Sequence, residues 1–315
     1  MALTQHLSEH GTTVFNFYNV IGQDEKGIRD APGLTVGPEV LMANIELLLN
    51  GGAEPVSLDQ IIDGYTPANS FHLMACDGYK LPNRFMSEVN NLDLPMSFSI
   101  AAGLVGQNTP SWTNKIEIAL QETLEKTGGK GVEFLLSNIG LDQKFAFADI
   151  QGGIALRNQL KDALPAGMDG DQFVQQICSS LTDVTGHKIE PTLISNSAFD
   201  SKMTWPEIKR LVGDGHELVS HGAKHTQKFT DMFDADIQAD IIDAQNTFQV
   251  ATGVRPSILT YPEGAYDERV IAAIRSSDAG IESAFHMSAG VITPKSNPMA
   301  LPRVNVTQGM LTADM

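Results

Sequence analysis

The feature that most constrains this chain is an alternation. Short runs rich in β-branched and aromatic residues recur along it, and stretches with helical apolar spacing lie between them. Residues 12–18, 70–75 and 95–101 read as strands early in the chain, and 216–220, 257–261, 280–285 and 304–306 read as strands late in it. Between them, 40–49, 84–89, 234–251 and 266–277 read as helices, as does the run from Thr204, which has Thr204 as N-cap, Pro206 in its first turn and glycines at its end. Ser57 caps a shorter helical turn. Strand followed by helix, repeated, gives a mainly parallel sheet or barrel, because neighbouring parallel strands need a crossover long enough to hold a helix.

One region breaks the rhythm. From about residue 109 to 185 helical spacing dominates, at 112–126, 154–164 and 171–181, and no strong strand interrupts it. We read this as a helical insertion on an α/β core, with the sheet resuming at 192–195. A polar loop with glycine and proline covers 22–38. The expectation is a single domain over 12–307, and 315 residues supply ample core for it.

Charge and cysteine content narrow the function. The formal net charge of -17 argues against a nucleic-acid backbone or an anionic membrane as principal partner, and suits a neutral or cationic substrate. Two cysteines, Cys76 and Cys178, make neither a disulfide framework nor a paired-cysteine zinc motif. The opening residues lack a basic start followed by an apolar run, and no apolar run is long enough to span a bilayer, so a cytoplasmic protein is expected. There is no Gly-x-Ser-x-Gly elbow and no P-loop.

The chemistry centres on Ser220-His221-Gly222-Ala223-Lys224-His225. A spacing of four residues puts two imidazoles on one face of a helical turn, within reach of one metal ion. The strand-like run before them places the pair where a strand ends and a loop begins, which is where α/β barrels carry their active sites.

These residues resemble a known family. Gly215 to His225 is similar to the second motif of the polysaccharide deacetylases, carbohydrate esterase family four, usually G-H-E-[IL]-x-[SN]-H-[ST]-x-x-H. Thr260-Tyr261-Pro262-Glu263-Gly264-Ala265-Tyr266-Asp267 resembles the third motif in the Y-P-x-G form of one bacterial branch, and Leu73 to Lys80 lies where the family has L-T-F-D-D-G-Y-K. Phe17 to Gly22 resembles that branch's opening M-Y-H-R-[IV]-G, and Leu301 to Val306 its closing L-P-R-[IV]-x-[VI]. The resemblance implies a distorted, incomplete (β/α) barrel of the polysaccharide deacetylase type, with a helical insertion opened by a tryptophan, as at Trp112. It further implies a divalent metal, Zn²⁺ or else Co²⁺ or Ni²⁺, held by Asp77, His221 and His225, and a carbohydrate substrate.

The departures are as informative. The family's general base, the first aspartate of the D-D pair, is Cys76 here; the histidine of the opening motif is Asn19; and the tyrosine of the third motif, whose backbone amide binds the oxyanion, is Glu263. Cys76 has three open readings: a thiolate base, a fourth metal ligand, or a small apolar residue beside a strand end. Glu263 is a substitute base or a solvent-facing carboxylate. His286, at a strand end, is a surface histidine or fills the part of the general acid, which the family places near the C-terminal strands. Asn19, Tyr261, Pro262 and Gly264 are the candidate substrate-binding positions. Trp112 and Trp205 are assigned to core packing, and His72, His187 and His216 to structure. The leading reading is a metal-dependent hydrolase that removes acetyl groups from N-acetylated, or less favourably O-acetylated, sugars of a bacterial polysaccharide or its precursor. The alternatives are a catalytically degenerate homologue that binds a glycan or partner, because the base position is Cys76, and a hydrolase of a non-sugar amide.

Overall fold

The computed structural model describes residues 3–21, 35–107, 110, 112–165, 167–190 and 202–311. The 22–34 part of the polar loop and the strand expected at 192–195 lie outside the described residues. The chain divides into two compact units, one made of Met1–Gly22, Leu34–Gln107 and Ser201–Met315, the other of Gln23–Gly33 and Asn108–Asp200.

The first unit is built on an eight-stranded sheet. Its strands are β1 (Thr12–Phe17), β2 (Glu54–Pro55), β3 (Ser70–Ala75), β4 (Met96–Ile100), β5 (Glu217–Ser220), β6 (Ile258–Thr260), β7 (Ser283–Phe285) and β8 (Val304–Asn305). They pair in the order β7-β6-β5-β4-β3-β1-β8, with β2 beside the start of β3, and every pairing is parallel. The run into β8 also touches the opposite edge: the Leu301 amide donates to Ala284 O at 2.9 Å and the His286 amide to Leu301 O at 2.9 Å. The two edges thus meet through one short bridge rather than a ladder, and the sheet is a half-barrel with helices around it, as the resemblance implied.

β1, β3 and β4 are buried at every residue, their polar Thr12, Asn16, Ser70, His72, Ser97 and Ser99 included, because a parallel sheet is covered on both faces. Phe15, Phe17, Phe71, Phe85 and Phe98 are fully buried around them, each contributing roughly 2 to 3 kcal/mol by removal from water. The helices begin where the sequence marks them. Ser57 and Gln60 form a reciprocal capping box, and Glu207 accepts from both the amide and the hydroxyl of Thr204, at 2.8 and 2.7 Å. Trp205 packs edge-on against Phe248 with centroids 5.7 Å apart. No helix among the described residues is long and apolar enough to cross a membrane.

The second unit has helices Trp112–Thr127, Ile150–Asp162 and Gly170–Thr185. One expectation is corrected here: an antiparallel hairpin, Val132–Leu136 with Leu141–Phe147, interrupts the helical run. Its first strand alternates buried and exposed residues. Phe134 and Phe145 face each other across the pair, and Gly140 makes the turn at φ 80. Two-residue alternation in five residues is too short to stand out between two long helical patterns. Trp112 packs on Gly170, where a Cβ would lie 2.4 Å from the indole, and a buried ion pair, Arg157 Nε to Glu117 Oε1 at 2.8 Å, ties two of the helices.

Candidate active site

The residues singled out in the sequence emerge from the C-terminal ends of parallel strands. Cys76 and Asp77 follow β3, His221 follows β5, Tyr261 to Gly264 follow β6, and His286 follows β7. A parallel sheet converges such positions on one end. Three of these non-glycine residues hold left-handed backbone: Asp77 at φ 65, His225 at φ 50 and Glu263 at φ 57. Aspartate tolerates that region better than most residues, and strained backbone of this kind collects at functional sites.

The histidine pair sits in a loop and not on a helical turn, since Gly222 at φ 75 and His225 at φ 50 both leave helical space. Gly222 is required twice over: a Cβ there would stand 2.3 Å from Asp240 Oδ2. Asp240 reaches in from the helix Asp234–Thr252 and accepts from the amides of Ala223 at 2.8 Å and Lys224 at 3.1 Å. The loop is thereby pinned, and the His221 and His225 rings lie 4.5 Å apart between centroids.

His221 is 2% exposed. Its Nδ1 lies 2.8 Å from Thr260 O, which can only accept, and 2.7 Å from Thr260 Oγ1, which can also donate. Nε2 faces the buried Asp77 Oδ1, 3.2 Å away: with the ring proton on Nε2 it donates to the carboxylate, and with the proton on Nδ1 it turns a lone pair toward it. In the second arrangement two acceptors face each other, and a metal ion between them satisfies both. Burial works against the charge of Asp77, but its contact with His221 and the charges of His225, His221 and Lys202 outweigh burial and hold the carboxyl well below its ordinary range. Burial, reinforced by His221, lowers His225 to about 4, so its ring is neutral and able to ligate at neutral pH. A metal fits this donor set, and Cys76 Sγ, a carboxylate oxygen of Asp77 and a ring nitrogen of His221 lie within 4.8 Å of one another.

Under this corner lies a layer of residues that motif reading passed over. Arg303, 1% exposed, donates from Nη1 to Cys76 Sγ at 3.2 Å, Asn16 Oδ1 at 3.0 Å and Met74 Sδ at 3.7 Å. Burial nevertheless keeps the Cys76 thiol raised, with Arg303 opposing. Lys202 Nζ donates to the Asp77 carbonyl at 2.8 Å and lies 3.1 Å from the centre of the Tyr79 ring. Thr260 Oγ1 lies 2.7 Å from His221 Nδ1 and bonds Ser99 Oγ. Arg303 was signalled only as part of the closing motif, and Lys202 by nothing near it in sequence.

The remaining candidates divide. The negative charge of Glu263 opposes the lowering of His225 and adds to the raising of Tyr18, which burial dominates. Tyr261 is fully buried, its hydroxyl donating to Met299 O at 2.8 Å, so its ring is scaffold. Pro262 is buried, and Gly264 at φ 67 admits Met287, which a Cβ would strike at 2.6 Å; the three residues shape the turn that presents Glu263. Asn19, 5% exposed, lies in a two-residue strand paired with Thr35–Val36. His286 stacks on Tyr266 at 5.3 Å, which stacks on Tyr261 at 5.0 Å. Its Nδ1 accepts from the Ser288 amide at 3.0 Å and its ring also bonds the Ala300 backbone. His72 and His216 are structural: His72 bonds Val56 O and Ser97 Oγ, both at 2.8 Å, and His216 Nε2 meets Asn90 Oδ1 at 2.9 Å.

Parallel strands curled into a half-barrel, with a carboxylate, a thiol and two histidines at their C-terminal ends, put the chain among the α/β barrel-like proteins that build a polar site at one end of the sheet. Residues 169–281, which include His221, His225 and Glu263, match the family model described as polysaccharide deacetylase. No curated protein matches the chain. The fold is similar to that of IcaB from Ammonifex degensii, with a TM-score of 0.60 at 14% identity, covering 96% of this chain and 95% of that one. It is similar also to BC0361, a polysaccharide deacetylase from Bacillus cereus (TM-score 0.56, 13% identity, 96% and 68% covered). A third likeness is to the Streptococcus pyogenes deacetylase PplD in complex with acetate (TM-score 0.56, 8% identity, 97% and 95% covered). The resemblance to the polysaccharide deacetylases therefore holds in sequence over the histidine motif and in fold over nearly the whole chain.

Proposed function

We propose that the protein is a metal-dependent hydrolase that removes acetyl groups from N-acetylated sugars, and less readily from O-acetylated ones, of a bacterial polysaccharide or its precursor. The observation that carries this reading is the pair Asp77 Oδ1 and His221 Nε2, 3.2 Å apart at the end of the sheet with Cys76 Sγ close by, inside a chain whose sequence match and fold resemble those of deacetylases. Asp77 and His221, with His225 beside them, would hold Zn²⁺ or another divalent first-row metal. Bound there, the metal would supply a Lewis acid that polarises the acetyl carbonyl and lowers the pKa of water.

The protein's own groups do the rest. Glu263, next to His225, takes the proton of the attacking water in the place a protonated Cys76 thiol cannot fill. His286, once protonated to the imidazolium, gives a proton to the departing amine and returns to the neutral ring; burial lowers its pKa, so it must take up that proton first, and its Nε2 must leave the Ala300 backbone. The test is metal analysis with a deacetylation assay on N-acetylated oligosaccharides. About one zinc, cobalt or nickel ion per chain and metal-dependent release of acetate are expected; a chain that takes up no metal after reconstitution refutes the reading.

Cys76 favours a second reading, a degenerate homologue that binds glycans without hydrolysis, since its raised thiol replaces a carboxylate. Cys76→Asp separates the two: a gain of deacetylase activity in the variant over an inactive wild type marks a decayed enzyme, and a loss shows that Cys76 has work of its own.

A further inference from the structure

We propose that Cys76 is a metal ligand whose thiolate joins Asp77 and His221 in holding the ion. This rests on the metal-dependent reading above and goes beyond it, because it moves Cys76 from the base position into the coordination sphere. Its Sγ, a carboxylate oxygen of Asp77 and a nitrogen of His221 already lie within 4.8 Å of one another. Around a tetrahedral ion with bonds of about 2.0 to 2.3 Å, ligand atoms stand roughly 3.3 to 3.8 Å apart, so modest side-chain rotation closes the set.

Neighbouring residues on a strand point to opposite faces and do not share an ion. These two share one corner because β3 ends at Ala75 and Asp77 turns at φ 65. The independent observation is Arg303. Its hydrogen-bond acceptors among the described residues are Asn16 Oδ1, Cys76 Sγ and Met74 Sδ, and its Nε is buried with no partner. No carboxylate hydrogen-bonds to this fully buried guanidinium. The ionised Asp77 acts on it only through space, so opposite a neutral thiol this buried cation has no hydrogen-bonded counter-charge, which is unfavourable. Opposite a metal-bound thiolate it is the outer donor that orients a ligand.

When the ion enters, the S–H bond breaks, its electron pair forms the sulfur–metal bond, and the proton passes to solvent water. A thiolate also softens the site, favouring zinc, cobalt and cadmium over magnesium and calcium. Removed from proton transfer, Cys76 leaves the base role to Glu263.

Cobalt(II) reads this out without any activity measurement. The full chain, stripped of metal and titrated with cobalt, is expected to show visible d–d bands together with a near-ultraviolet thiolate-to-cobalt charge-transfer band. Cys178→Ser must keep that band. Cys76→Ser must lose it while keeping the d–d bands, with affinity weaker by at least ~10-fold, the lower end of what even outer-layer changes cost. Visible bands in the wild type with no charge-transfer band overturn the inference and leave the metal-dependent reading standing. No cobalt binding by the wild type removes both. Should Cys76→Ser fail to fold, the wild-type and Cys178→Ser spectra decide the matter alone.

Discussion

Two buried histidines, His72 in the middle of β3 and His221 just beyond the end of β5, are alike in burial and differ in what their Nε2 atoms face. Both are essentially inaccessible, and both bond a backbone carbonyl through Nδ1 at 2.8 Å. The second nitrogen of His72 meets the Ser97 hydroxyl at 2.8 Å, a group that can donate as well as accept. That of His221 meets a carboxylate oxygen that only accepts. The first ring is locked between two uncharged partners; the second faces a carboxylate with which it can share a metal ion. Burial and residue type do not separate scaffold from site here. What stands opposite the second nitrogen does.

The largest effect that would break this contrast comes from truncating each ring. His221→Ala is expected to lower deacetylase activity by at least ~10³-fold, about 4 kcal/mol of transition-state stabilisation, and to abolish stoichiometric metal binding. His72→Ala should keep metal and activity in the molecules that fold, while costing about 3 kcal/mol of stability through a cavity and two stranded polar groups. Metal titration and urea unfolding of both variants check this. Undiminished metal binding in His221→Ala would erase the distinction.

A pH series sharpens the same contrast from the other side. Burial lowers His72 to about 4, against an ordinary value of 6.5, with its Val56 bond opposing. The folded state therefore resists protonation that the unfolded chain accepts. Stability from this group is present above pH 6.5 and is lost as pH falls from 6.5 toward 4, in total about 3 kcal/mol at 1.36 kcal/mol per unit. Chemical unfolding of wild type and His72→Gln across that window should show the variant losing less by that amount. Parallel curves would mean that His72 is charged in the fold.

Much of the frame was legible in the sequence. Strand and helix alternate because each parallel strand is covered on both faces, and the His221 and His225 spacing with Asp77 marks the strand ends. What was not legible depends on contacts that sequence spacing cannot express. Arg303 meets Cys76 across 227 positions, and Lys202 meets Asp77 across 125. The left-handed turns at His225 and Glu263 fall on residues that carry no turn signal, and the one at Asp77 on a residue whose signal is weaker than that of glycine. The hairpin at Val132–Leu136 was hidden by its brevity. The helical-turn geometry that a spacing of four suggests was overridden by Gly222, whose left-handed conformation opens the loop toward Asp240.

That last contact carries the smallest and most local test. His221 is held by its strand and by Thr260, but His225 lies beyond Gly222 on a loop whose amides at Ala223 and Lys224 are fixed by the Asp240 carboxylate alone among their recorded acceptors. Asp240→Asn keeps the shape, leaves one carbonyl oxygen for two amides and turns an NH₂ toward one of them. Losing one charge-assisted bond should cost about 1.5 to 3 kcal/mol. Because the loop positions a ligand, metal affinity should fall by ~10-fold or more, and the His72 pH window should not move. A variant that loses stability with unchanged metal affinity would show that the loop is rigid without its carboxylate pin. His225 would then owe its position to its own left-handed backbone and not to the helix behind it.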